Sequence, residues 1–579
     1  MAPSARWTPD RAATPLVRGD DWVCGANTVI ALSRRDTFPL TITVLAFLFL
    51  GLFLVWPLLN VFGASFLDRT GTTFTLANYS RMLSNSFYLG SLYNSLLLGI
   101  LATLLTIVMG VPLAFCLARL PIPGKSLLLA LASLPLVLPS FVAAYALVLL
   151  LGRAGIVTRF LRDIDIPFTS IYGMTGLTIV FAMTLFPFVV FPTLAAFKAV
   201  DISVEEAGQN LGSSRWRTFW TVTVPIVMPA VLAGGLLVFI DVIESFGVPF
   251  VLAEDKPILA VEAYKLFVGE TGGNPASAGV LGVLLIVCTA IALLFQRHYL
   301  GKRRFSTAAR RTPPELVVKP WLRRLAATYS WGVVLLAIVP FFAIIVISFM
   351  EFRGPVMHPH LSLNNFRDLL NQSSRPLFNT LALSTAAALL AALIGVPIGF
   401  AITRFRSKIS DLLDVVAMTP FAVAGTVLAI GLVISFNSGW LVLTGGWLIL
   451  VLAWTVRKIP FNVRASAAIL HQIDPSLEEA SINLGVSPLM TFCRLTVPLM
   501  MGGVIGGMVL TWVTVASELS STVVLYSGPW ATMTIVMFQA LEGTGAGIAS
   551  AAATVLIIVT LVPVALVYRL LRRHELGMM

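Results

Sequence analysis

From near residue 39 to near residue 568 this chain is a succession of apolar runs, each long enough to cross a bilayer as a helix of about 20 residues. About twelve runs qualify. Those of the first half lie near 39–63, 89–118, 127–151, 171–197, 226–250 and 276–296. Those of the second lie near 327–350, 377–403, 415–434, 439–456, 499–526 and 546–568. The runs are continuous and rich in Leu, Ala, Val and Gly. That excludes a membrane barrel, whose strands alternate in polarity over about ten residues. In lipid every backbone N–H and C=O must be satisfied within the segment, so helices are expected. With 58% hydrophobic and only 11% charged residues, the expected class is an all-α polytopic membrane protein.

The net charge of +12 would suit a nucleic-acid binder if the basic residues shared a surface, but they are dispersed between the apolar runs. Lys and Arg near helix ends resist translocation; with the N-terminus inside, about three-quarters of them fall in cytoplasmic segments. Both termini are then expected in the cytoplasm. The densest cluster, Arg297, Lys302, Arg303, Arg304, Arg310, Arg311, Lys319, Arg323 and Arg324, falls between the sixth and seventh runs. It reads as a topology anchor against anionic headgroups, with membrane lipid as its partner and no nucleic acid. Residues 1–38 have no sustained apolar period and read as a cytoplasmic tail without stable structure. The four cysteines are too far apart in sequence to suggest a disulfide framework or a C-x-x-C metal site.

The chain repeats itself. Glu205-Glu206-Ala207-Gly208-Gln209-Asn210-Leu211-Gly212 returns as Glu478-Glu479-Ala480-Ser481-Ile482-Asn483-Leu484-Gly485, an offset of 273 that holds through Thr223-Val224-Pro225 and Thr496-Val497-Pro498. Upstream, Asn94 pairs with Asn379, Gly110-Val111-Pro112 with Gly395-Val396-Pro397, and Arg119 with Arg404, all at offset 285. The expected organisation is a first repeat over 39–297 (core about 89–297), a basic linker over 298–326 and a second repeat over 327–571 (core about 377–571). An even number of spans per repeat sends both into the membrane from the same side, related by an axis near the membrane normal.

Each matched motif falls in a polar cytoplasmic stretch between the fourth and fifth spans of its repeat. Asp201 and Asp474 open short helices, with acids in the first turn where the helix dipole favours them. Gly212 and Gly485 stop those helices. A short exposed helix present twice suggests two docking sites. The pattern Glu206-Ala207-Gly208, Gly212, Pro225 and Glu479-Ala480-Ser481, Gly485, Pro498 resembles the EAA loop of binding-protein-dependent ABC importer permeases of type I. The third motif position is small in both copies, Gly208 and Ser481. The two-in-one length, with Ser245-Phe246-Gly247-Val248-Pro249 late in the fifth run and Glu518-Leu519-Ser520-Ser521-Thr522 late in the eleventh, is most similar to the ferric-iron class. Similar fused permeases serve thiamine, 2-aminoethylphosphonate and hexose phosphates. The resemblance implies two ATPase subunits gripping the two loops, one extracytoplasmic solute-binding protein, and alternating access driven by ATP and Mg bound on the partner. Whether Glu206 and Glu479 meet the ATPase or fix the loop internally is left open by the sequence.

Three acids, Asp241, Glu244 and Glu518, fall inside the expected spans, where a charge costs several kcal/mol unless it faces water, a partner or a pathway. They are expected either to line the translocation pathway and favour a cation, or to bond to neighbouring helices. His358 and His360 flank a proline on an external loop with no acid or Cys nearby, so no metal site is expected. No nucleophile–base constellation occurs, and no Gly-x-x-x-x-Gly-Lys-Ser/Thr, so any ATP must bind elsewhere. The rival class, a secondary transporter or channel, would leave the duplicated loop unexplained.

Overall fold

The computed structural model describes residues 37–576 apart from 69–72, 168–169, 270–273, 302–314, 317, 354–355, 406 and 544. The expected tail and most of the basic linker lie outside the described residues. Ten described helices are long and apolar enough to span a membrane, or eleven if one sharply bent pair is counted as a span.

The first repeat contributes α1 (Phe38–Ser65), α2 (Ser86–Arg119) and α3 (Met174–Ala199). The motif helix α4 (Ile202–Asn210) follows, then α5 (Val224–Glu244), which prolongs a continuous helix begun at Arg215. The second repeat answers with α6 (Pro320–Ser348), α7 (Asn364–Arg404), α8 (Trp447–Leu470), the motif helix α9 (Ser476–Asn483) and α10 (Val497–Ala516). A short hairpin, β1 (Met350–Arg353) with β2 (Val356–Leu361), links α6 to α7.

Five expected runs take another form. The run near 127–151 is two helices, Lys125–Val137 and Ser140–Leu151, separated by extended backbone at Leu138 and Pro139. Its counterpart near 415–434 breaks at the equivalent place, into Lys408–Ala422 and Gly425–Phe436, bent by 107°. The run expected near 439–456 starts later and continues to Leu470, because Arg457, Lys458 and Arg464 lie within α8. The fifth and eleventh spans start earlier and stop short, at Glu244 and Ala516. Ser245–Pro249 and Glu518–Thr522 therefore lie beyond the spans rather than late within them.

Helices in lipid gain little from hydrophobicity and associate through close packing and hydrogen bonds. The repeated glycines serve the packing: a Cβ on Gly110 would sit 3.2 Å from Val189 Cβ, and one on Gly395 would sit 2.8 Å from Asn462 Cβ. The two repeats are also interleaved. Asn60 of α1 donates to Ser435 Oγ of the second repeat (2.8 Å), while Tyr329 and Trp331 of α6 donate to the carbonyls of Met109 (2.8 Å) and Pro123 (3.2 Å) in the first. The matched asparagines have matched tasks. Asn94 ties α2 to the Pro257 carbonyl, and Asn379 ties α7 to the carbonyls of Pro529 and Ala531, in each case bracing the broken chain that follows the fifth span of the repeat.

Candidate functional site: two anchored loops and a buried charge cluster

The two motif loops are near-copies down to individual atoms. Asp201 accepts from the Ser203 N–H (3.0 Å) and Asp474 from the Ser476 N–H (2.9 Å), closing the open donors at each helix start. The Ser476 backbone and hydroxyl hold the Asp474 carboxyl below its ordinary value. At the other end Gly212 and Gly485 take φ of +86° and +87°. There Ser213 N–H reaches the Gly208 carbonyl and Gly212 N–H the Gln209 carbonyl, and Val486 and Gly485 repeat the pattern on Ser481 and Ile482. This is a Schellman ending, which needs the left-handed conformation that glycine adopts without strain.

The paired glutamates have divided roles. Glu205 accepts from Arg119, the last residue of α2 (2.6 Å), and from Thr223 (2.9 Å). Glu478 accepts from Arg404, the last residue of α7 (3.1 and 3.2 Å), and from Thr496 (3.3 Å). Arg404 also donates to the Ile473 carbonyl (3.0 Å). The first glutamate thus fastens the loop to the end of a spanning helix. Sequence comparison aligned Arg119 with Arg404 without assigning either a role. The second glutamate points away: Glu206 is exposed and Glu479 half-buried, and neither makes a hydrogen bond or ion pair among the described residues. Beside them Ala207 and Ala480 are exposed, and Leu211 and Leu484 are 88% and 85% exposed. At the third motif position the Ser481 hydroxyl bonds Thr491 (2.9 Å), whereas a Cβ on Gly208 would lie 3.2 Å from Thr218.

Each loop returns to its span through a π turn, Phe219–Thr223 and Phe492–Thr496, in which Val224 N–H reaches back to Phe219 and Val497 N–H to Phe492. Pro225 and Pro498 follow at once. Having no N–H, each proline leaves a carbonyl of the preceding turn unclaimed, and the wider turn absorbs the mismatch.

Within the membrane-spanning region the three acids are not alone. Arg457 of α8 donates to Glu518 at 2.6 Å and lies 3.5 Å from Glu244 at the end of α5. Lys458 lies 3.6 Å from the other Glu518 oxygen, and the Ser521 N–H donates to Glu518 at 3.2 Å. Asp241, about one turn before Glu244 on the same helix, is within electrostatic reach of Lys458 and Arg457. Gly425 packs so tightly under the guanidinium that a Cβ would collide with it. Of the alternatives the sequence left open for these acids, bonding to a neighbouring helix is what Glu244 and Glu518 show here. Arg457 and Lys458, placed outside the membrane by an apolar run that ended at 456, are partners of those acids. A buried carboxylate with a well-bonded guanidinium escapes much of the cost of a lone buried charge. Among the described residues no group of three or more His, Cys, Asp or Glu side chains could hold a metal ion.

Residues 110–305 and 393–577 each match the family profile of the binding-protein-dependent transport system inner membrane component. A protein of Haemophilus influenzae named for ferric transport as a permease is 29% identical over 512 residues, covering 86% of this chain and 79% of that protein. The ferric transport system permease protein of Actinobacillus pleuropneumoniae is 27% identical over 568 residues, covering 95% of this chain and 78% of that one. The spermidine/putrescine transport system permease protein PotB of Escherichia coli is 31% identical over 264 residues, which are 95% of that protein but 44% of this chain.

Proposed function

Because this chain belongs to the family of binding-protein-dependent transport system inner membrane components, we infer that it is the two-in-one permease of an ATP-driven importer whose cargo is ferric iron. It is a multi-pass inner membrane protein. The observation that carries the reading is the duplicated loop, with one glutamate of each pair locked to the end of a spanning helix, the other left without a partner among the described residues, and an exposed leucine at the helix end.

That arrangement suits a transmission joint. Each loop offers an apolar knob and a free carboxylate to a partner, and its Arg–Glu anchor passes movement of the loop directly to α2 or α7. Two loops of the same shape call for two identical partners, which we take to be ATPase subunits at the cytoplasmic face, carrying the ATP and Mg. Both termini then lie in the cytoplasm, and a single solute-binding protein delivers cargo at the far face. Nucleotide-driven closure of the ATPases would swing the two repeats between inward-facing and outward-facing arrangements, the differential binding of two states that any driven transition requires. Iron as cargo is supported by the two relatives named for ferric transport, which match this chain across both repeats.

The test is reconstitution of the complex with its ATPase and binding protein. The expected result is a one-to-two ratio of permease to ATPase, and hydrolysis stimulated by binding protein loaded with Fe³⁺. Stimulation by thiamine, a phosphonate or spermidine but not by Fe³⁺ would remove iron and leave the importer. Uptake without any ATPase would remove both.

A further inference from the structure

Among the described residues, Arg457 makes the one ion pair that joins the two repeats within the spanning region. It sits where the chain of each repeat breaks. α5 ends at Glu244 and turns into the short helix Gly247–Leu252, while α10 ends at Ala516 just before Glu518. The breaks face one another: a Cβ on Gly247 would stand 3.1 Å from Leu519 Cδ2. Arg457 reaches both sides of this meeting point, but unequally. Toward Glu518, in its own repeat, the bond is 2.6 Å and is reinforced by Lys458 and the Ser521 N–H. Toward Glu244, in the other repeat, the one contact is 3.5 Å long, and the second Glu244 oxygen is buried without a partner. If the repeats part, the side that gives way is Glu244.

We propose that the Arg457–Glu244 pair is the releasable bolt of the gate at the far end of the route: closed in the state described here, and broken when the repeats separate, so that Glu244 and Asp241 then face the opening and draw in a cationic cargo. Arg457 is thereby a positioning residue. It stays with Glu518 and acts by covering or uncovering a carboxylate on the opposite repeat. The local sequence fits this one-sided design. At the positions of Arg457 and Lys458 the first repeat has Thr184 and Leu185, and at the position of Glu244 the second has Ser517. Thr184 and Ser517 turn their hydroxyls back onto their own helices, onto the carbonyls of Val180 and Val513. The gate accordingly has a single bolt where twofold symmetry would supply two.

This inference rests on the importer reading, and one set of measurements separates their failures. In the reconstituted complex, Glu244→Gln keeps the side-chain shape and removes the pair. Hydrolysis without binding protein is expected to rise about fivefold or more, the scale of a typical coupling between sites. Glu244→Asp, charged but too short to reach Arg457, is expected to do the same, which a simple loss of charge would not. In the wild-type complex, a water-soluble carbodiimide followed by mass spectrometry is expected to modify Glu244 only after nucleotide trapping of the outward-facing state. An unchanged basal rate in both variants, or equal labelling of Glu244 in both states, overturns the bolt while leaving the importer standing. A wild-type complex whose hydrolysis ignores the binding protein overturns the importer reading, and the bolt with it.

Discussion

Arg404→Ala is the substitution whose cost can be worked most directly from the structure. The guanidinium gives two bonds to Glu478 and one to the Ile473 carbonyl, and the side chains of the pair are 7% and 4% exposed. Truncation leaves Glu478 buried with Thr496 as its remaining donor, at 3.3 Å. Removing one partner of a buried ion pair costs about 3–5 kcal/mol, chiefly through the stranded charge. The helix that would absorb this loss, α9, has only eight residues, too few to be stable alone in water. The loop, rather than the whole bundle, should therefore come loose. Limited proteolysis between residues 471 and 500 should accelerate sharply, and hydrolysis should become independent of the binding protein while uptake falls at least tenfold. The double variant Arg404→Met with Glu478→Gln removes both charges and should recover most of the protease resistance, because no charge is left stranded. If Arg404→Ala alone keeps wild-type protease resistance and coupled uptake, the Arg–Glu anchor is not what transmits movement from the loop. The first loop offers an internal control. Glu205 is more exposed, at 17%, so water relieves part of its loss and Arg119→Ala should be the milder change.

Gly212→Ala and Gly485→Ala meet no atoms within 4 Å, so the expected penalty is the backbone strain alone, about 1 kcal/mol each; Gly212→Asp and Gly485→Asp add a charge at the joint and should leave an inserted protein whose ATP hydrolysis no longer drives uptake, as measured in proteoliposomes. Gly208→Ser should be tolerated, because Thr218 Oγ1 is buried without a partner and a serine hydroxyl could bond it as Ser481 bonds Thr491; a gain of about 1 kcal/mol in thermal unfolding is the expected size, and a loss would contradict it. Leu211→Glu and Leu484→Glu should leave the melting temperature of the isolated permease unchanged while weakening co-purification of the ATPase, since both side chains stand in solvent until a partner covers them.

The loops were legible in the sequence because everything that shapes them is local. A capping acid, a stop glycine and a proline at fixed spacing specify the helix, its end and its return, and the second copy supplies the register. The division of labour within each glutamate pair was not legible. It depends on which residue faces the end of a helix 86 positions away in the first repeat and 74 in the second, and spacing within the loop says nothing of that. The broken third spans were missed for a related reason. The stretch around Pro139 is as apolar as its surroundings, and hydropathy measures greasiness rather than direction.

Arg457 and Lys458 show where an apolar-run reading must fail. Run length is counted until a charge appears, so a cation in a span ends the span on paper and is moved to the aqueous side, taking with it the evidence that the acids have partners. The acids were kept inside their expected spans only because apolar sequence resumes after them, to 250 and 526. The resulting error bears on what the protein needs in duplicate. The loops agree between repeats in cap, anchor, ending and π turn, as two equal ATPase subunits would require of the surfaces they grip. The charged cluster does not agree: cations occur in one repeat alone, and the acids stand one position out of register, Glu244 matching Ser517 and Glu518 matching Ser245. One cargo passing along one axis imposes no demand for a second copy. Substitutions in this cluster, to which both repeats contribute, should alter gating without disturbing either loop.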